Sequence, residues 1–175
     1  MTALHIPRLA PLTLLMSALL AGCGGADDPS SPTSAGAATL TISVATPAAQ
    51  ATTVDLSTAT AKGNNTRAAD GFSSVPYCEV FWENAVGANG KKYALQVYFR
   101  QSDKLPITVS VIEVGSGWVL SDNNSGAAVT GLTVDTAAKT LVLNNKAMSG
   151  SAGERGTLAG SLGFPGNKTT AACGS

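Results

Sequence analysis

Three glutamates that fall in or beside strand-like segments, Glu79, Glu83 and Glu113, are the side chains of this 175-residue chain best placed to do chemistry. Two carboxyl groups held about 5 to 10 Å apart suffice to cleave a glycosidic bond, one as acid and the other as base or nucleophile. Little else is on offer. The sole histidine is His5, in a leading segment whose character marks it for removal. Without an imidazole, Ser-His-Asp and Cys-His constellations are ruled out, and so are histidine-ligated metal sites. Glu79 and Glu83 also have a plainer use as surface charges opposite Lys92 and Arg100. The run Asp122-Asn123-Asn124-Ser125-Gly126 is rich in oxygen ligands, yet no carboxylate closes it as a calcium loop requires, so a turn is expected there. The expectation is a chain with no catalytic residue, no metal and no cofactor.

The three cysteines carry more information. Cys23 ends the sequence Leu20-Ala21-Gly22-Cys23, which closes an uncharged apolar run from Leu9 to Leu20 preceded by Arg8 as the only charged side chain other than His5. That is the layout of a signal peptide. The run is interrupted by Pro11, Thr13 and Ser17 and falls short of the roughly 20 apolar residues that span a bilayer. Leu20-Ala21-Gly22-Cys23 resembles the lipobox of bacterial lipoproteins. The resemblance implies lipid on the Cys23 thiol, cleavage before Cys23 and loss of residues 1–22. It covers residues 1–23 only; beyond them there is a general likeness to small envelope lipoproteins, which brings no activity with it. Two or three acyl chains hold a protein at a membrane almost irreversibly. Gly24, where an aspartate would favour retention in the inner membrane, points to the outer membrane of a Gram-negative cell. The expected location is thus the bacterial cell envelope, with the membrane itself as a partner through the anchor. Once Cys23 carries lipid, Cys78 and Cys173 remain as an even pair in an oxidising compartment. A disulfide between them is the economical reading, and two separate buried thiols the alternative.

Charge excludes another class of partner. Lys and Arg number 11 against 11 Asp and Glu, and the one adjacent basic pair, Lys91-Lys92, reads as a solvated hairpin edge, so no polyanion surface is present and no nucleic acid is expected.

These residues must be positioned by the elements around them. Residues 23–38 carry no large apolar side chain after the anchor and read as a flexible linker. From Thr39 the pattern turns to period two, and residues 39–175 read as one all-β domain. Leu40, Ile42 and Val44 alternate with hydroxyl residues in a first strand, and a second covers 52–56. Residues 57–71 are polar and read as a long loop. A hairpin joins 75–84 to 91–101 through a turn ending in Asn89-Gly90. Further strands are expected at 107–114, 117–120, 132–134, 140–144 and 157–164. About eight short antiparallel strands fit a β-sandwich, with a small β-barrel as the alternative.

In the hairpin, Cys78, Val80 and Trp82 share a face with Tyr93, Leu95, Val97 and Phe99, the face assigned inward. Tyr77, Phe81 and Tyr98 then point outward. Aromatic rings suit a solvated face poorly unless something meets them, which makes these three a binding patch for an envelope protein or glycan, or else a face covered by the chain itself. Two functional classes follow: a non-catalytic binding or structural module, and a small carboxylate-dependent glycan hydrolase. Convergence of two glutamates in one cleft would separate them.

Overall fold

Alternating β-branched and polar residues drive most of the described residues into strands. A computed structural model describes residues 38–123, 129–166 and 173. Ten strands follow one another: β1 (Thr39–Thr46), β2 (Thr52–Asp55), β3 (Ala61–Arg67), β4 (Tyr77–Gly87), β5 (Lys92–Arg100), β6 (Pro106–Glu113), β7 (Val119–Asn123), β8 (Leu132–Asp135), β9 (Thr140–Ser149) and β10 (Arg155–Gly163). Two single 3₁₀ turns, Ala48–Gln50 and Leu56–Thr58, flank β2. Among the described residues no helix is long and apolar enough to cross a membrane.

Every pairing between strands is antiparallel. The order β10-β1-β2-β4-β5-β6-β7-β9 closes because β9 also pairs with β10, which makes an eight-stranded barrel; β3 lies along β4 and β8 along β9 as additional strands. The β-sandwich expectation is corrected here in favour of its alternative. The reason for the ambiguity is visible in the ladders. One half, β3-β4-β5-β6-β7, and the other, β2-β1-β10-β9-β8, are each an ordinary antiparallel sheet with one buried face. They join at two short seams, Val54↔Gly87 with Asp55↔Val86, and Ser121↔Ser149. Both seams exist because β4, at 11 residues, and β9, at 10, outrun their outer neighbours and reach a strand of the opposite half. Alternation along a strand is the same in a sandwich and a barrel, so period two does not distinguish them.

The inward face is the one expected. Cys78, Val80, Trp82, Tyr93, Leu95, Val97 and Phe99 are all buried, with Cys78 opposite Phe99, Val80 opposite Val97 and Trp82 opposite Leu95. Leu40, Ile42, Val109, Val111, Leu120, Leu141, Leu158 and Leu162 complete the interior. Two irregularities change the phase of the long strands. The ladder slips between Trp82 and Ala85, where Asn84 sits at φ 56°, so both Trp82 and Ala85 point inward. Asn145 at φ 45° does the same in β9 and turns Lys146 and Met148 inward after Leu141 and Leu143. Asparagine tolerates this left-handed conformation better than most residues, and such bulges bend the strand that carries them.

The largest difference from the expected elements is β3, in residues read as loop. Ala61-Lys62-Gly63-Asn64-Asn65-Thr66-Arg67 has no apolar alternation because its buried positions are Gly63 and Asn64. A Cβ at position 63 would stand 2.6 Å from the Phe81 ring, so only glycine lets that ring lie over the strand. The Asn64 amide donates to the Cys173 carbonyl (3.2 Å), and its oxygen accepts from the Cys173 amide (3.1 Å). The expected Cys78–Cys173 disulfide is present, with Cα atoms 5.9 Å apart, within the usual range of about 4.4 to 6.8 Å. The lipidated Cys23, residues 1–37 of the leader and linker, and the Asn124-Ser125-Gly126 part of the acidic loop lie outside the described residues.

Candidate functional site

The outer face of the β4–β5 hairpin brings Glu79 opposite Tyr98 and Tyr77 opposite Arg100. It holds an aromatic cluster, though with a different membership from the one expected. Tyr77 is buried at 6 % exposure, and Tyr98 and Phe81 are half-buried. Phe81 faces Gln96 across the hairpin and packs over Gly63. In its place Phe72, from the loop between β3 and β4, joins Tyr77 and Tyr98. Its ring centroid lies 5.3 Å from Tyr77 and 4.9 Å from Tyr98, and the two tyrosines stand 6.0 Å apart, all three tilted by 53 to 55°. Such tilted arrangements suit the ring quadrupoles. Phe72 is itself 50 % exposed.

Each ring of the pair beneath Phe72 is tied to a carboxylate. The Tyr77 hydroxyl donates to Asp70 Oδ2 (2.8 Å), while Asp70 Oδ1 accepts from the amides of Phe72 (2.8 Å) and Ser73 (3.1 Å). These bonds hold the Asp70 carboxyl below its ordinary range, the Tyr77 hydroxyl contributing most. The Tyr98 hydroxyl donates to Glu79 Oε1 (3.2 Å), and Arg67 grips Glu79 Oε2 through both Nε (2.9 Å) and Nη2. Burial, then the Glu79 charge and hydrogen bond, push the Tyr98 phenol up to about 12. Both phenols therefore stay protonated as donors at neutral pH. The pairing of Glu79 with Arg67 corrects the expected contacts across the hairpin: β3, unseen in the sequence, supplies the cation, and Arg100 turns to Asp103 three residues on. Glu83 is exposed, opposite Ala61.

Glu113 lies elsewhere, buried at one end of the barrel. Gln50 Nε2 donates to its Oε2, Lys91 Nζ stands 3.2 Å from Oε1, the Tyr93 hydroxyl donates to Gln50 Oε1 (3.0 Å), and Asn89 donates to the Tyr93 oxygen (2.8 Å). Trp118 closes this end edge-on to Tyr93, centroids 6.4 Å apart, and donates its indole N–H to the Thr46 carbonyl (3.0 Å). Gln50 and Trp118 form part of the wall of an open cleft of ≈ 380 Å³ whose carboxylate is Glu154, whereas Glu79, Glu83 and Glu113 do not line it. The three glutamates thus occupy the outer wall, an exposed strand position and the inside of the barrel end. Among the described residues no three His, Cys, Asp or Glu side chains gather as a metal site.

Burial alone would raise the Glu113 pKa, but hydrogen bonds from Ser116, Gln50 and Lys91 and the Lys91 charge outweigh it, and the net shift is downward from 4.5. A carboxyl depressed in the folded state stabilises the fold above its unfolded pKa, and that stabilisation disappears as pH falls through the folded value. The expected result is a Glu113→Gln variant less stable than wild type by a constant margin above about pH 5, a margin that narrows below about pH 4. Melting curves of both proteins from pH 7 to 3 measure it. A margin independent of pH would show that Glu113 contributes through its shape alone.

Phe72, Asp70 and Arg67 are the site residues that strand patterns miss, since they lie in or beside the stretch read as loop. A signal was present: Asp70-Gly71-Phe72-Ser73 has the aspartate of a turn followed by one large ring in an otherwise polar segment. No protein-family model, no curated protein and no solved structure matches this chain.

Proposed function

We propose that the chain is a lipid-anchored protein of the bacterial envelope, held at the outer membrane through Cys23, whose barrel serves as a non-catalytic binding module beyond the 23–38 linker. The observation that carries the binding role is Phe72, half exposed on top of two tyrosines whose hydroxyls are fixed by Asp70 and Glu79. A large apolar ring left in water on a rigid, hydrogen-bonded base is what a recognition surface needs, because little order has to be gained on binding. The dispersal of Glu79, Glu83 and Glu113 supports a binding role over paired-carboxylate hydrolysis, which needs two such groups facing one substrate. The anchor rests on Leu20-Ala21-Gly22-Cys23. Replacing Cys23 by serine and fractionating the cells tests it: the variant is expected to leave the membrane fraction and to retain its leader. Unchanged cleavage with continued membrane association would remove the anchor from this account.

A further inference from the structure

The geometry points to a neutral glycan as the ligand of the Phe72 cluster, with one sugar ring stacked on Phe72 and its hydroxyls met by Arg67 and Asp70. The inference rests on the binding-module reading above and adds the ligand class.

Size argues first. A phenylalanine ring offers ~150 to 250 Å² when wholly covered, and Phe72 is only half open, so the free aromatic surface is on the order of 100 Å² plus the exposed margin of Tyr98. A stable protein interface takes about 800 Å² from each partner. The aromatic patch is of the size of one sugar face and by itself supplies only a fraction of that area. The rim argues second. Arg67 keeps a side chain 51 % exposed while two of its nitrogens are committed to Glu79, and the Asp70 carboxyl stands in an exposed turn with both oxygens already oriented by Tyr77, Phe72 and Ser73. Planar donors and acceptors fixed beside an aromatic face are complementary to a ring of hydroxyls around an apolar C–H face. Charge argues third. Arg67 balances Glu79, and Asp70 remains, so the site carries an excess of one negative charge and disfavours polyanions.

The test uses the full chain in detergent micelles and electrophoresis through native gels containing soluble neutral polysaccharides (a β-glucan, a mannan and glycol chitin), with alginate as the anionic comparison. At least one neutral polymer is expected to slow the protein while alginate does not. Phe72→Ala should weaken that retardation about tenfold or more while the protein still melts cooperatively, at a temperature lowered by about 3 to 10 °C for the lost contacts with Tyr77 and Tyr98. Phe72→Leu, which keeps an apolar contact with the tyrosines but loses the stacking face, should weaken it equally, and Phe72→Tyr should preserve it. Equal retardation of wild type and the alanine and leucine variants would overturn the proposal, as would retardation by alginate in preference to every neutral polymer. A photo-crosslinking residue at position 72 in intact cells separates the two levels. If no neutral polymer slows the protein but one envelope protein is captured, the glycan reading fails and the binding module stands. If neither is bound, both fail.

Discussion

A Cys78→Ala, Cys173→Ala double variant is expected to unfold at a clearly lower urea concentration than the parent, with a loss approaching 4 kcal/mol. The bond joins β4 to a residue 95 positions further along the chain, and for a loop of that length the chain-entropy account predicts about 4 to 5 kcal/mol as an upper figure. Asn64 works against the full loss, since from its buried position in β3 it holds both the N–H and the C=O of Cys173 whether or not the sulfurs are joined. Adding Asn64→Ala to the double variant should therefore cost more than Asn64→Ala alone in the parent, where the bond still keeps Cys173 in place. Urea titrations of the four proteins test this as a cycle. A loss below about 1 kcal/mol in the double variant would mean that the unfolded chain is already constrained and that the bond adds little.

Asp122→Asn is expected to destabilise the protein by about 2 to 3 kcal/mol, and Lys146→Met to change it by less than about 1 kcal/mol in either direction. Lys146 points into the protein after the bulge at Asn145, with a side chain only 2 % exposed. Its ammonium meets the Asp122 carboxylate and donates to the Thr130 carbonyl (2.7 Å). Removing the carboxylate leaves a buried charge without its counterion, which costs about 3 to 5 kcal/mol where both groups are fully buried. Asp122 is 30 % exposed, so water offsets part of that figure. Methionine removes the buried charge and keeps an apolar stem of similar volume, and the Asp122 carboxylate left behind, 30 % exposed, can be solvated by water. The pair also crosses the seam where β7 meets β9 through Ser121↔Ser149. Amide exchange near that seam should accelerate in Asp122→Asn. Equal destabilisation by both substitutions would show that the lysine acts through its contacts and that charge pairing is secondary.

Much of this follows from residue order. Period-two alternation of β-branched and aromatic residues sets an all-β chain, and in the hairpin it also sets which face is inward, because a one-residue slip would turn Cys78, Val80, Trp82 and Leu95 out to water. The cysteine count, once Cys23 is read as a lipid site, leaves a single possible pairing, and Cys78 and Cys173 do meet. The address proposed for Leu20-Ala21-Gly22-Cys23 is local by nature, since processing would read the linear segment. Three properties are decided only in the tertiary structure, each because it depends on contacts between residues far apart in sequence. Whether two sheets remain a sandwich or close into a barrel depends on how far β4 and β9 overrun β3 and β8, and alternation carries no record of that. β3 is a strand because the edge of β4 supplies its hydrogen bonds and because Gly63 and Asn64 fit beneath Phe81 and beside Cys173, requirements imposed by the neighbours and invisible in its own polar residues. The aromatic site gains Phe72 and loses Phe81 for the same reason: a loop anchored by Asp70 folds one ring onto Tyr77 and Tyr98, while the other packs over Gly63 of β3. Side-chain type and spacing along a strand determine which rings leave the core, and only the packing of the following segments determines which of them still face water.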